Sequence, residues 1–169
     1  MSLISLERAN QKSLFYVSVN VIILSGQKAL LVKRSAKAKS HPGRYCFPGG
    51  KIEHDMFDLT NPDRKDGEIL LFSDPIWRTA RKEVQEEVGL SLAGEYRILD
   101  NVFFVREDKI PVIMVRVIAT GWAGESVKLE SGAFDGSVWA SADEAALLNC
   151  GSGTAESIQR AVELMHSGF

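Results

Sequence analysis

Arg81-Lys-Glu-Val-Gln-Glu-Glu-Val-Gly-Leu90 decides how this chain is read. Ile76, Ala80, Val84 and Val88 recur every fourth residue with Trp77 beside them, which predicts an amphipathic helix laid on a sheet. Asp74 is placed to cap its free amides, Pro75 suits its first position, and Gly89 ends it. At about 100° per residue, Glu83, Glu86 and Glu87 fall on one side, bordering the apolar stripe. Like charges three and four residues apart repel, and anions near a helix C-terminus oppose the macrodipole. Stability alone would not choose this arrangement. A hard divalent cation, Mg²⁺ with Mn²⁺ as the alternative, would compensate it, because such ions take oxygen ligands and keep positions for water and phosphate. Taken alone, the cluster reads better as a solvated acidic face.

Outward from this helix the pattern is of strands and turns. Phe15 to Leu24 is rich in branched apolar residues and predicts a buried strand, Ser25 to Lys28 a turn, and Ala29 to Arg34 a second strand pairing back on the first. This hairpin delivers the basic segment Lys33 to Lys39 into His41-Pro-Gly-Arg-Tyr-Cys-Phe-Pro-Gly-Gly50. With two prolines and three glycines in ten residues, that stretch must be loop around at most a short strand. Further on, Tyr96 to Arg106 and Ile110 to Thr120 predict strands, Val138-Trp139 part of another, and Ser141 to Leu148 and Thr154 to His166 closing helices. Residues 1–13 read as a loose arm. Hairpins with helices between them predict one α/β sandwich domain over residues 1–169.

The combination of Phe47-Pro-Gly-Gly50-Lys-Ile-Glu53 with Lys82-Glu83-Val84-Gln85-Glu86-Glu87-Val88-Gly89-Leu90 resembles the Nudix box: a glycine-glycine turn, a following Glu, then REUXEEXGU with U aliphatic. The flanking strands and Trp139-Ala-Ser-Ala-Asp-Glu144 are similar to that family over most of residues 15–165. The resemblance implies a Nudix α/β/α sandwich with a mixed sheet, and attack by metal-bound water on a diphosphate. It implies Glu83, Glu86 and Glu87 as metal ligands with the Gly49 carbonyl nearby, and Glu53 in support. The general base comes from the box, as Glu86, or from a later loop, as Glu130 or, second, Asp135.

This sequence departs from the box in two ways. Residues 54–72 stand as an insertion within it, a polar turn-rich stretch around Asn61 to Gly67 with the apolar base Ile69 to Phe72. It reads as a lid, a surface excursion or a dimer contact, leaving a homodimer open. Counting back from Glu83, the first box Glu falls on Asp74, equally a plain N-cap. Lys82 replaces the box Arg, keeping the charge near the chemistry but losing the planar fork, which Arg81 is placed to restore.

Leu30-Leu-Val-Lys-Arg-Ser35, Lys39, His41, Gly43 and Phe47-Pro-Gly-Gly50 are similar in order to the signature of coenzyme A diphosphatases, a branch of the family, with Val32 where Thr stands there and Lys39 where Arg stands. Ile110-Pro-Val-Ile113 is weakly similar to the same branch. The resemblance implies Arg34, Lys39 and His41 on a coenzyme A-like or other nucleotide substrate. Nucleoside triphosphates, ADP-ribose and dinucleoside polyphosphates are the competing substrates, and a nucleotide-binding sensor that has lost turnover is the competing function.

Composition narrows the classes. A formal charge of −2 gives no footprint for a nucleic-acid polymer. Cys46 and Cys150 form no CxxC, which argues against a zinc site or disulfide framework and fits a reducing cytoplasm. The apolar runs, such as Val19 to Leu24 and Pro111 to Val117, are strand-sized, far short of the roughly 20 residues that span a bilayer.

Overall fold

The computed structural model describes residue 4 and residues 10–167, so the predicted arm over residues 1–13 lies largely outside the described residues. Strand β1 (Tyr16–Ser25) turns into β2 (Lys28–Arg34), and short strands β3 (Tyr45–Cys46) and β4 (Gly49–Lys51) follow. A separate hairpin, β5 (Arg64–Asp66) and β6 (Ile69–Leu71), precedes helix α1 (Pro75–Val88). Then come β7 (Ser91–Val105), β8 (Pro111–Ala123), β9 (Phe134–Ala140), α2 (Ala142–Ala146) and α3 (Thr154–His166).

β1 is the hub of a mixed sheet. It runs parallel to β8 from Tyr16 against Val112 to Ile23 against Ala119, and antiparallel to β4 at Ser18–Asn20. Its far end pairs with β2, which carries β3 and β9 antiparallel. β7 pairs antiparallel with β8. Alternate residues of the apolar run in β1 serve opposite faces. Val19, Val21 and Ile23 join Trp77, Ala80, Val84 and Val88 of α1 in one core, while Ile22 joins Ile118, Leu31, Ile158 and Ala161 beneath α3 in a second. Burial on both faces explains why the strand reads as a continuous hydrophobic run rather than an alternation. The α/β/α layering expected from the sequence is the layering observed.

Several boundaries moved. β7 begins at Ser91 rather than Tyr96, because irregularities between Ala93 and Tyr96 and between Ile98 and Asp100 break the two-residue period on which the reading depended. The extra residues pair Ser91–Ala93 with Gly121–Ala123, which also lengthens β8. β9 is longer than Val138-Trp139, and α2 is shorter than 141–148, opening on a capping box in which Ser141 and Glu144 exchange hydrogen bonds.

Residues 54–72 fold back on the N-terminal half of α1. Asp63 accepts hydrogen bonds from the Ser73 amide and from Arg78, Phe57 packs on Phe72 at 5.3 Å, and Thr79 donates to the Met56 sulfur. The hairpin turn is Gly67-Glu68, narrower and later than the Asn61 to Gly67 tip anticipated, since Asp66 already pairs with Ile69.

Candidate active site

α1 meets β4 where Gly49-Gly50 passes the helix. Gly49 adopts φ 149°, and a Cβ there would strike the backbone carbonyl of Val19, so β4 approaches β1 only because this residue is glycine. A Cβ on Gly50 would fall on the Glu83 carboxylate. The second glycine therefore makes room for the carboxylate itself. The Gly49 amide donates to Glu87 Oε2 at 2.8 Å.

Burial pushes the Glu87 carboxyl up to about 8 despite this hydrogen bond; the negative charges of Glu83 and Glu130 add to the rise and Arg34 opposes it. A half-buried pair of carboxylates beside β4, with Glu87 short of compensating charge, is an oxygen donor set that fits a hard divalent cation with water completing its shell. Glu83 and Glu87 are the residues that would hold it.

The third glutamate is elsewhere. Glu86 is exposed and held by Lys82 at 2.9 Å, and Lys82 also reaches Glu83 at 3.2 Å, contacts that raise the lysine's own affinity for its proton. Among the described residues, no group of three or more His, Cys, Asp or Glu is placed to hold a metal ion as it stands. Arg81 does not restore the missing fork: its guanidinium lies over the Trp77 ring at 5.4 Å. Asp74 is the N-cap, accepting from the Trp77 amide at 3.2 Å and from the Tyr96 hydroxyl at 2.8 Å, and is spent on holding α1 to β7.

The loop from β8 to β9 docks along the end of α1, where the amides of Lys128 and Glu130 donate to the carbonyls of Val88 and Glu87. That contact brings Glu130 beside the carboxylate pair while leaving its side chain exposed. Asp135, the second loop candidate, accepts from the Ala36 amide at 2.9 Å and so braces the turn after β2.

Glu83 and Glu87 open into a cleft of about 860 Å³. Arg34, His41, Gly49 and Glu53 line it as well; Lys39, Lys82, Glu86 and Glu130 do not, and neither does any residue of 54–72. Arg34 donates to the Ser40 carbonyl at 2.8 Å, and Ser40 hydroxyl and His41 Nδ1 are 2.7 Å apart, which fixes the basic loop on the cleft wall. Lys51 and Glu53 form an exposed pair at 3.6 Å. Sequence reasoning passed over Asn20, Arg44, Arg106 and Arg116, which add polar groups and positive charge, and Tyr16, Phe104 and Met114, which form an apolar stretch of the wall. One signal was available: Arg116 interrupts the apolar run Val112-Ile-Met-Val-Arg-Val-Ile118.

A glycine-glycine strand start packed on a helical carboxylate pair, inside a cleft with a cationic wall, suits a metal-dependent reaction on an anionic substrate. Residues 14–161 match the model of the NUDIX domain. The chain belongs to the Nudix family. The peroxisomal coenzyme A diphosphatase ndx-8 of Caenorhabditis elegans is 36% identical over 75 residues, which is 44% of this chain and 25% of that protein, so this Nudix chain aligns with only a quarter of the relative's length. The MutT NUDIX hydrolase of Burkholderia pseudomallei superposes with TM-score 0.66 at 18% identity, covering 88% of this chain and 98% of that one. The NUDIX domain of Shewanella oneidensis NrtR, solved with ADP ribose, gives 0.63 at 16% identity, with 95% and 96% covered. At these identities the two structures speak for the Nudix fold.

Proposed function

We propose that this Nudix chain hydrolyses a phosphoanhydride bond in a nucleotide-linked small molecule. The observation that carries the reading is the junction of Gly49-Gly50 with Glu83 and Glu87 in a cleft that is also lined by Arg34, Arg44, Arg106 and Arg116. Glu83 and Glu87 would hold Mg²⁺ or Mn²⁺, with Glu86, now paired with Lys82, as the further carboxylate available to the site. The bound ion supplies charge neutralisation and a more acidic attacking water. Gly49 orients Glu87 through its amide. Glu130, and Glu86 as its rival, sit at the margin from which a carboxylate takes the water proton, while Lys82 balances the helix carboxylates. Arg34 and His41 bind the substrate's phosphates, with Lys39 and Glu53 on the approach.

The leading substrate is coenzyme A, supported by the partial match to the worm diphosphatase and by the signature from Leu30 to Gly50. ADP-ribose, nucleoside triphosphates and dinucleoside polyphosphates are the alternatives. The test is a panel of these four classes with Mg²⁺, reading phosphorylated products, with Glu87→Gln alongside. Splitting of coenzyme A that is lost in the variant supports the reading in full. Turnover of another member keeps the chemistry and discards the coenzyme A assignment. Binding without turnover anywhere replaces the hydrolase with a nucleotide sensor, the reading favoured by Lys82 bridging Glu83 and Glu86 where a cation would act.

A further inference from the structure

Gly49, Asn20, Arg116 and Asp100 form one continuous row across β4, β1, β8 and β7, because Asn20 is the register partner of both Gly49 and Arg116, and Arg116 that of Asp100. The first three line the cleft. With neighbouring strands about 4.8 Å apart, Arg116 is rooted roughly 10 Å from Gly49, two strands away from the carboxylate pair. Its side chain is only 13% exposed, and its Nη1 donates to Asp100 Oδ1 at 2.9 Å.

That contact does not balance the charge. Asp100 gives its other oxygen to Arg160 of α3 at 2.6 Å, so one carboxylate serves two guanidinium groups. Arg160 ties α3 to β7 and also reaches the Leu99 carbonyl, and Arg97 adds a second tie to the Leu164 carbonyl. Arg116 keeps Nη2 beside Gly153, and neither it nor the Asn20 amide has a hydrogen-bond partner among the described residues; as no buried side-chain polar atom is left unpartnered there, both face the cleft. A guanidinium held by the fold at the wall of a cleft, with donors facing the cleft and its one carboxylate shared with a second arginine, is preorganised to receive an anion. The planar fork matches phosphoryl and carboxylate groups alike, and in a cleft read as taking a phosphoanhydride substrate the anion it meets is a phosphoryl group.

We propose that Arg116, clamped by Asp100 and flanked by Asn20, is a specificity-determining residue that binds a second phosphoryl group of the substrate, distinct from the bond cleaved at Glu83 and Glu87. This rests on the phosphoanhydride reading of the same cleft and narrows the substrate to one bearing phosphate at both ends of that row. The second phosphoryl group is either a phosphomonoester on a sugar or the next phosphate of a chain, a difference the experiment separates.

The experiment is calorimetric titration of the full chain in EDTA with 5′-AMP, adenosine 3′,5′-bisphosphate and ADP. One of the two doubly phosphorylated ligands should bind roughly tenfold or more tightly than 5′-AMP, the scale of one charge-assisted contact, and Arg116→Gln should bring it level with 5′-AMP. Excess for the bisphosphate identifies a phosphomonoester, and excess for ADP a chain phosphate. Arg116→Lys should keep part of the preference, and Arg160→Gln, which leaves Asp100 to Arg116 alone and removes the surplus charge, should reduce it without abolishing it. If Arg116→Gln does not fold, Asp100→Asn with Arg116→Gln removes the stranded acid and carries the same expectation. Equal binding of all three nucleotides by the wild type, or a preference that survives loss of Arg116, overturns the proposal. Because no turnover is needed, discrimination without hydrolysis of the substrate panel would sink the hydrolase reading and leave the subsite, and hydrolysis without discrimination would do the reverse.

Discussion

Gly49 and Gly50 stand side by side for different reasons, and substitution separates them. Gly49→Ala meets the Val19 carbonyl from a φ of 149°, so melting should show a loss on the order of 2–4 kcal/mol. Gly50→Ala meets a side-chain carboxylate that can swing aside, and should leave melting nearly unchanged while cutting Mg²⁺-dependent turnover. Glu87 makes a prediction about pH. Its carboxyl is raised to about 8 from 4.5, chiefly by burial, so the metal-free fold favours the protonated form. This group's contribution is greatest at low pH and is lost as pH rises through 8. Denaturation in EDTA should find Glu87→Gln close to wild type near pH 5 and more stable above pH 8, by on the order of 1–3 kcal/mol after allowance for partial solvation. Equal stability across that range would mean that the carboxylate is not short of compensation. With Mg²⁺ added the order should reverse, since only the wild type offers the ion a second carboxylate.

At the scale of elements, α1 shows how one stretch of chain serves packing and chemistry together. Its start is fixed by Asp74, in left-handed conformation at φ 50°, which also holds the Tyr96 hydroxyl, while Tyr96 stacks on Trp77 at 5.0 Å. Asp74→Ala should cost about 1–2 kcal/mol in melting, the usual effect of a lost cap, and leave turnover per folded molecule and its Mg²⁺ dependence intact. A loss of metal dependence would instead return Asp74 to the role of the first box Glu. The segment 54–72 is fastened to this helix and contributes nothing to the cleft wall. Asp63→Ala should therefore raise its susceptibility to limited proteolysis without moving KM. A shifted KM would revive the lid. The helix itself was legible because its fourfold apolar repeat, cap and terminal glycine agree. Its insertion was not, since polar turn-rich sequence states that a chain turns but not which surface it returns to.

For the whole molecule, the decisive feature is that β1 is buried on both faces and paired along both edges, so α1 and α3 are held to one slab from opposite sides. Ile158 is fully buried where α3 meets Ile22 and Ile118, and Ile158→Ala should lower stability by about 2–4 kcal/mol, read from chemical denaturation. The sequence by itself determined the local structure: the amphipathic helix, the hairpin from β1 to β2, and the glycine pair and carboxylates that mark the family, although Gly49-Gly50, read as a turn, begins the short strand β4. Those features are legible because period, capping and turn chemistry are properties of neighbours along the chain. Only the tertiary structure decided which glutamates face the cleft, that Lys82 rather than Arg81 answers them, and that Asp135 is occupied in bracing a turn. The same holds for Arg116, which strand pairing alone places in a row with Gly49, although the two are remote in sequence. Register across a sheet is set by the packing of both faces at once, and no local pattern encodes it.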